Sequence, residues 1–196
     1  MTGAPLEPVI AAALRLAGEK GWRRVGVRDI AEASGIPAEA LRREYPCKTS
    51  ILLAYAKEVE RRAAAAPTPF DPEDTVRDRL FELLMQRLDI LEEHRASVTN
   101  VLRDMPFDPL GAAASAPELL RLMGTVLEQA GVPAGGPAGW LRRKGLAAVW
   151  LATLYVWSGD DSPDHARTMA ALDGNLRRAE PAARLLARPF PLPGGF

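Results

Sequence analysis

Between its clusters of glycine and proline, the chain repeats apolar residues every three to four positions and nowhere alternates them every second position. That spacing draws one apolar stripe along a helix and cannot line one face of a strand. The strong helix formers Ala, Leu, Arg and Glu fill the stretches between the clusters. The fold class that follows is all-α. Helices are predicted over about 7–20, 27–34, 38–44, 48–65, 73–93, 95–104, 116–130, 140–158 and 164–187. Pro67, Pro69 and Pro72 mark the clearest boundary, because three prolines in six positions cannot continue a helix. The division expected is a three-helix domain over 1–48, a connecting helix over 49–66, a larger helical domain over 72–187 and a Pro/Gly-rich tail over 188–196, extended or disordered.

Charge and residue counts exclude several function classes. Lys+Arg and Asp+Glu each number 25 in 196 residues, which argues against a uniformly basic nucleic-acid binder. The balance is uneven, with 11 cations against 8 anions over residues 1–62, so any anion-binding surface is expected in that first third. Cys47 is the single cysteine, so there is no internal disulfide and no cysteine-rich zinc site. His94 and His165 lie far apart in sequence and read as polar residues rather than metal ligands. Asp160, Asp161, Asp164 and Asp173 read as helix-cap and helix-terminus charges, with Ser162 or Asp161 as the cap. The most apolar run, Leu146 to Trp157, is shorter than the roughly 20 residues a bilayer span needs. No secretory signal is visible, and a reducing, cytoplasmic setting is the default. No nucleophile–base pair, phosphate loop or metal cluster stands out. The chain is therefore read as a non-enzyme without cofactor or metal.

The N-terminal third has the makings of a helix-turn-helix. Two short helices are joined by a turn starting at Gly35 and braced by the first helix. Such a turn needs a residue tolerant of positive φ. The crossing helix sets the angle at which the second short helix enters a major groove. Ile30, Ala31, Ala33, Ile36 and Leu41 are the candidate inner-face residues.

The stretch from Val27 to Lys48 resembles the tetracycline-repressor (TetR) family. Ile30, Ala31, Gly35, Leu41, Tyr45 (in place of Phe) and Lys48 match without insertion, and Trp22 follows Gly21 where the family places an aromatic. The resemblance implies an N-terminal helix-turn-helix domain and a larger helical domain for ligand binding and dimerisation. It implies DNA contacts by Arg28, Arg42, Arg43, Tyr45 and Lys48, with Ala38, Glu39 and Ala40 near base edges. The chain departs from the family pattern at several caps. Gly26, Pro37 and Cys47 stand where hydroxyl caps are usual, and Arg42 replaces a tyrosine. Glu39 and Glu44 add negative charge to the recognition helix.

The predicted helix over 140–158 is apolar nearly all round, so it must be buried on more than one side. Leu146, Val149, Trp150, Thr153 and Trp157 line one face, and Ala147, Leu151, Leu154 and Tyr155 another. One side serves the domain core. The other is expected to meet a symmetry-related copy, with Ala147, Leu151, Leu154, Met169, Leu172 and Leu176 at the homodimer interface.

The same region also resembles the coenzyme Q accessory proteins of ubiquinone biosynthesis, which are TetR-like in fold but bind lipid. The residues that carry this include Trp140, Arg143, Lys144, Leu146, Trp150, Thr153, Trp157, Asp160, Ser162, Thr168, Leu172 and Asp173. Two functions follow as expectations. The first is a homodimeric regulator, a repressor in the family manner, that binds a pseudo-palindromic operator and is released by an apolar or lipid-like effector. The alternative is a lipid carrier of quinone metabolism that does not bind DNA. A plain dimeric scaffold is a third possibility.

An effector would lie among the middle helices. Phe81, Leu84, Met85, Leu88, Val101, Leu102, Met105, Phe107, Leu122, Met123, Val126, Trp150 and Tyr155 are the candidate lining, since methionines and aromatics adapt to apolar ligands. The same residue types equally suit a packed core.

Overall fold

The computed structural model describes residues 6–187, and side chains up to 183. The expected tail over 188–196 lies outside the described residues. Those residues form nine α-helices and no strand: α1 (Leu6–Lys20), α2 (Val27–Ser34), α3 (Ala38–Glu44), α4 (Lys48–Ala65), α5 (Val76–Glu92), α6 (Arg95–Asp104), α7 (Pro109–Gln129), α8 (Gly136–Ser158) and α9 (Ala166–Ala187). Short 3-10 turns occupy Trp22–Arg24 and Met105–Phe107.

The helix starts differ from expectation where a side chain caps the chain. Thr75 and Asp78 exchange hydrogen bonds, with the Asp78 carboxylate accepting the Thr75 N–H at 3.1 Å and hydroxyl at 2.6 Å. This fixes the start of α5 at Val76, three residues later than the stripe alone suggests. Helix α7 begins seven residues earlier than expected. Asp108 Oδ1 accepts the Gly111 N–H at 2.9 Å, and Pro109 sits at the first helical position, where a missing N–H does no harm. Pro117 then lies inside the helix. The alanine-rich stretch and the Asp108 cap outweigh a proline penalty of about 3 kcal/mol. Helix α8 also starts early, at Gly136. Gly139 is required there by close approach, because a Cβ would fall 2.2 Å from the Ala134 carbonyl.

The chain divides into two compact units. The first comprises residues 1–67 and 86–118, and the second 68–85 and 119–196. The segment 86–118, expected to belong with the larger domain, therefore clusters with the helix-turn-helix. The reason is visible in the core of the first unit. Val9, Ala13, Ala17, Trp22, Ile30, Leu41 and Ile51 are joined there by Val101 of α6.

In the second unit α8 packs against α9, and Trp157, Thr153 and Leu172 are fully enclosed. Asp160 closes the turn between these helices. Its carboxylate accepts hydrogen bonds from the Ser162 hydroxyl at 2.5 Å and from the Thr168 N–H and hydroxyl at 2.8 and 2.7 Å.

Candidate nucleic-acid interface

The turn between α2 and α3 follows from Gly35, whose φ of 70° lies in the left-handed region that glycine adopts without strain. The Ile36 N–H reaches the Ala31 carbonyl at 3.1 Å and closes the C-terminal motif. Below α3, Leu41 is enclosed and Ile30 of α2 packs in the same core. Above it, Glu39, Arg42, Arg43 and Glu44 are exposed, with Ala38 and Ala40 half-buried. Arg28, at the start of α2, is exposed too. Among the described residues Arg28, Arg42 and Arg43 have no ion-pair or hydrogen-bond partner, so their charge is available to an outside anion.

Two residues expected on this face are placed otherwise. Tyr45 is 8% exposed and belongs to the core of the unit. Burial pushes its phenol above the ordinary value, with the neighbouring Glu44 charge adding to the shift. It packs in the core rather than on the face where a DNA contact was expected. Lys48 is half-buried, and its ammonium donates to the Trp22 carbonyl at 2.8 Å and sits 5.0 Å from the Trp22 ring centroid. It pins the start of α4 to the turn after α1.

The altered caps are partly compensated. The Gly26 N–H donates to Asp29 Oδ2 at 2.7 Å, which retains the carboxylate half of a capping box. This bond, and then Lys20 at 3.1 Å, hold the Asp29 carboxyl below its usual range. Cys47 donates its N–H to the Ser50 hydroxyl at 3.4 Å. Pro37 makes no side-chain cap.

A feature that sequence reasoning missed is the clamp by α6. Asn100 Nδ2 donates to the carbonyls of Ala17 and Gly18 at 3.0 and 3.2 Å, satisfying the end of α1. Asp104 Oδ2 accepts the Arg23 N–H at 2.7 Å. The sequence signal is faint. Asn100 and Asp104 are one helical turn apart with Val101 beside them, and only their distant partners give that spacing meaning.

Residues 9–55 match the family described as bacterial regulatory proteins, tetR family. Residues 112–182 match COQ9. No curated protein sequence matches the chain. Among solved structures, a TetR transcriptional regulator from Nitrosomonas europaea is 21% identical with a TM-score of 0.67, over 89% of this chain and 97% of that one. A TetR regulator from a Rhodococcus species is 18% identical with a TM-score of 0.63, over 88% and 92%. Thermus thermophilus FadR, a TetR repressor solved with lauroyl-CoA, is 20% identical with a TM-score of 0.56, over 97% and 100%. Residues 9–55 are thus similar to the tetR-family head, and the fold is that of the solved TetR regulators.

The candidate effector-lining residues differ in burial. Leu84, Leu88, Val101, Leu122, Met123, Val126 and Trp150 are buried, and Phe81, Met85, Leu102 and Met105 are half-buried. Phe107 and Tyr155 are corrected, being 66% and 81% exposed. Phe107 lies on the surface because its 3-10 turn carries it outward, where the Arg23 guanidinium stacks 4.9 Å from its ring centroid. Val101 and Met105 line a cavity of about 20 Å³ with Trp22, Leu52 and Ser115. That space admits a single water rather than a ligand.

The residues expected at a dimer face lie in different environments within the chain. Ala147, Leu154, Leu172 and Leu176 are buried within the chain itself, because α8 and α9 use them against each other and the core. Met169 is half-buried, and Leu151 is 42% exposed. The outward stripe of α8 runs instead through Leu141, Gly145, Ala148, Leu151, Ala152 and Tyr155. Among the described residues no group of three or more His, Cys, Asp or Glu is placed to hold a metal, and no helix is long and apolar enough to cross a membrane.

Proposed function

We propose that the protein is a TetR-type transcriptional regulator that binds operator DNA as a homodimer. The observation that carries this reading is the pairing of a fully packed helix-turn-helix with three exposed, unpartnered guanidiniums, Arg28, Arg42 and Arg43. Arginine suits both phosphate oxygens and the guanine edge. Ala38 and Ala40 leave room for the backbone of α3 to approach the groove, and Glu39 is positioned to accept from cytosine N4. Lys48 and Tyr45 support the head from beneath. The dimer forms through the outward stripe of α8, and its operator carries two half-sites about 34 Å apart or slightly more, one for each copy of α3. An apolar effector, of the acyl type suggested by the FadR structure, enters the middle helices and favours the conformation that does not fit DNA.

The test is binding to the DNA upstream of its own reading frame and to a genomic fragment library, at several salt concentrations. Specific, steeply salt-dependent binding is the expected result. Arg42→Ala combined with Arg43→Ala should weaken it at least about tenfold. No binding at low salt, or an unchanged affinity in the double variant, rejects the reading.

The match of residues 112–182 to COQ9 favours a second reading, a lipid-binding accessory protein on the same scaffold. Mass spectrometry of lipid extracted from the purified protein separates the two. A stoichiometric isoprenoid together with no DNA binding supports the accessory role.

A further inference from the structure

Away from α3, an open cleft of about 620 Å³ lies between the end of α1, the 3-10 turn that follows it, and α6. Its walls carry four cations, Lys20, Arg23, Arg24 and Arg103, and two carboxylates, Glu19 and Asp104. The Glu19 charge is already paired, whereas Asp104 is held by a backbone N–H and keeps its charge, so the four cations still outnumber the two carboxylates in the cleft. Glu19 pairs with Arg15 at 2.9 Å, and Asp104 accepts the Arg23 N–H at 2.7 Å. Lys20 pairs with Asp29 at 3.1 Å.

Three guanidiniums remain without a carboxylate partner among the described residues. That of Arg23 rests on the Phe107 ring. Arg103 makes a long 3.4 Å contact with Asn100 Oδ1. Arg24 is exposed and has no polar partner. Unneutralised guanidiniums gathered around one concavity raise its potential and draw in anions. Three planar donor forks exceed what one carboxylate can accept, whereas a phosphate offers about two negative charges and three acceptor oxygens. The cleft is also larger than a bare phosphate needs and lies within the usual range for small organic ligands.

We infer that this cleft is a binding site for a small phosphate-bearing metabolite, held by Arg23, Arg24 and Arg103. The ligand touches both sides of the joint that Asn100 and Asp104 already tie, the end of α1 and α6. It bridges the DNA-reading head to α6 from outside, at a place separate from the apolar interior. The inference does not depend on the regulator reading, because none of its residues lies on α3.

The experiment is calorimetric titration of inorganic pyrophosphate into the full-length protein at fixed ionic strength. Parallel titrations use R24Q, R103Q and a double R42Q/R43Q variant. Saturable binding of one pyrophosphate per chain is expected, weakened about tenfold or more by R24Q and by R103Q and unchanged in the double variant. Arg24 and Arg103 are exposed, so these substitutions leave the core intact, and matching thermal melts without ligand check this. No saturable binding at millimolar pyrophosphate overturns the site. So does equal weakening by the α3 double variant, which marks a diffuse basic surface. Displacement of pyrophosphate by random-sequence duplex DNA, with R24Q and R103Q weakening DNA binding equally, also overturns it and makes the cleft a DNA-backbone contact.

Discussion

Arg87 sets its guanidinium against both carboxylate oxygens of Glu60, with Nε to Oε1 at 2.6 Å and Nη2 to Oε2 at 2.8 Å. The arginine is 1% exposed and interrupts an otherwise apolar stripe on α5. A bidentate pair of this kind ties α4 to α5 at this point. Removing one partner takes this bidentate contact away from a charge held in the core. Glu60→Ala is expected to destabilise the protein by about 3 kcal/mol. Arg87→Met combined with Glu60→Gln should recover much of that loss, because replacing both charges leaves neither unpaired. Urea unfolding of the two variants checks this, and equal losses would contradict it.

Asp160 gives a pH signature. Hydrogen bonds from Ser162 and then Thr168 hold its carboxyl well below the usual carboxylate range. A depressed folded-state pKa contributes stability that is fully present above the unfolded value, about 4, and is lost as pH falls through the folded value. Asp160→Asn keeps one acceptor but turns an amide toward donors. At neutral pH it should lower the melting temperature by roughly 5 °C. The gap between wild type and variant should narrow steadily below pH 4. A gap independent of pH would remove the carboxylate from the explanation.

Tyr55 carries a buried hydroxyl with no hydrogen-bond partner, and burial pushes its phenol up to about 12. Its ring meets His94 edge-on, with centroids 5.9 Å apart. The stability this raised pKa contributes is complete below the unfolded value of about 10 and drains away between there and about 12. Tyr55→Phe removes an unsatisfied polar atom, so at pH 7 it should be neutral or stabilising by under about 1 kcal/mol. It should also flatten the alkaline fall in stability. Denaturant melts at pH 7 and 11 read both effects, and a clear loss at pH 7 would point to a partner for the hydroxyl.

Two substitutions on α8 separate interface from core. Tyr155→Glu places charge on the outward stripe and is expected to shift a dimer to monomer in analytical ultracentrifugation while the helical signal persists. Leu154→Glu, one residue away, buries that charge inside the chain and should unfold it. A Tyr155→Glu protein that remains dimeric would move the interface elsewhere.

Much of this architecture was legible because it is local. Helices α2, α3, α4 and α6 have the ends that Gly35, Pro37, Pro46 and Met105–Pro106 announce in the sequence. Helical spacing places Leu41 inward, as the structure has it, but Ala33, expected beside it, is exposed, and the arginines of α3 are singled out by the family resemblance instead. What remained hidden depends on distance along the chain. Nothing near Tyr155 distinguishes it from Leu154, and only the packing of α8 on α9 sends one outward and the other inward. The cleft likewise unites residues 18–24 with residues 100–104, and no local pattern relates Arg24 to Arg103. The early starts of α7 and α8 are not legible locally, because proline and glycine usually stop a helix, whereas here the Asp108 cap and the close approach at Gly139 lie at helix beginnings.

The presence of Val101 beneath the helix-turn-helix has a practical outcome for anyone transplanting it. A graft cut at the proline cluster after α4 would expose a gap where that valine belongs and leave the Ala17 and Gly18 carbonyls without their amide donor. The transferable reading module is discontinuous in sequence, and a chimaera that respects it must bring α6 along with the first 67 residues.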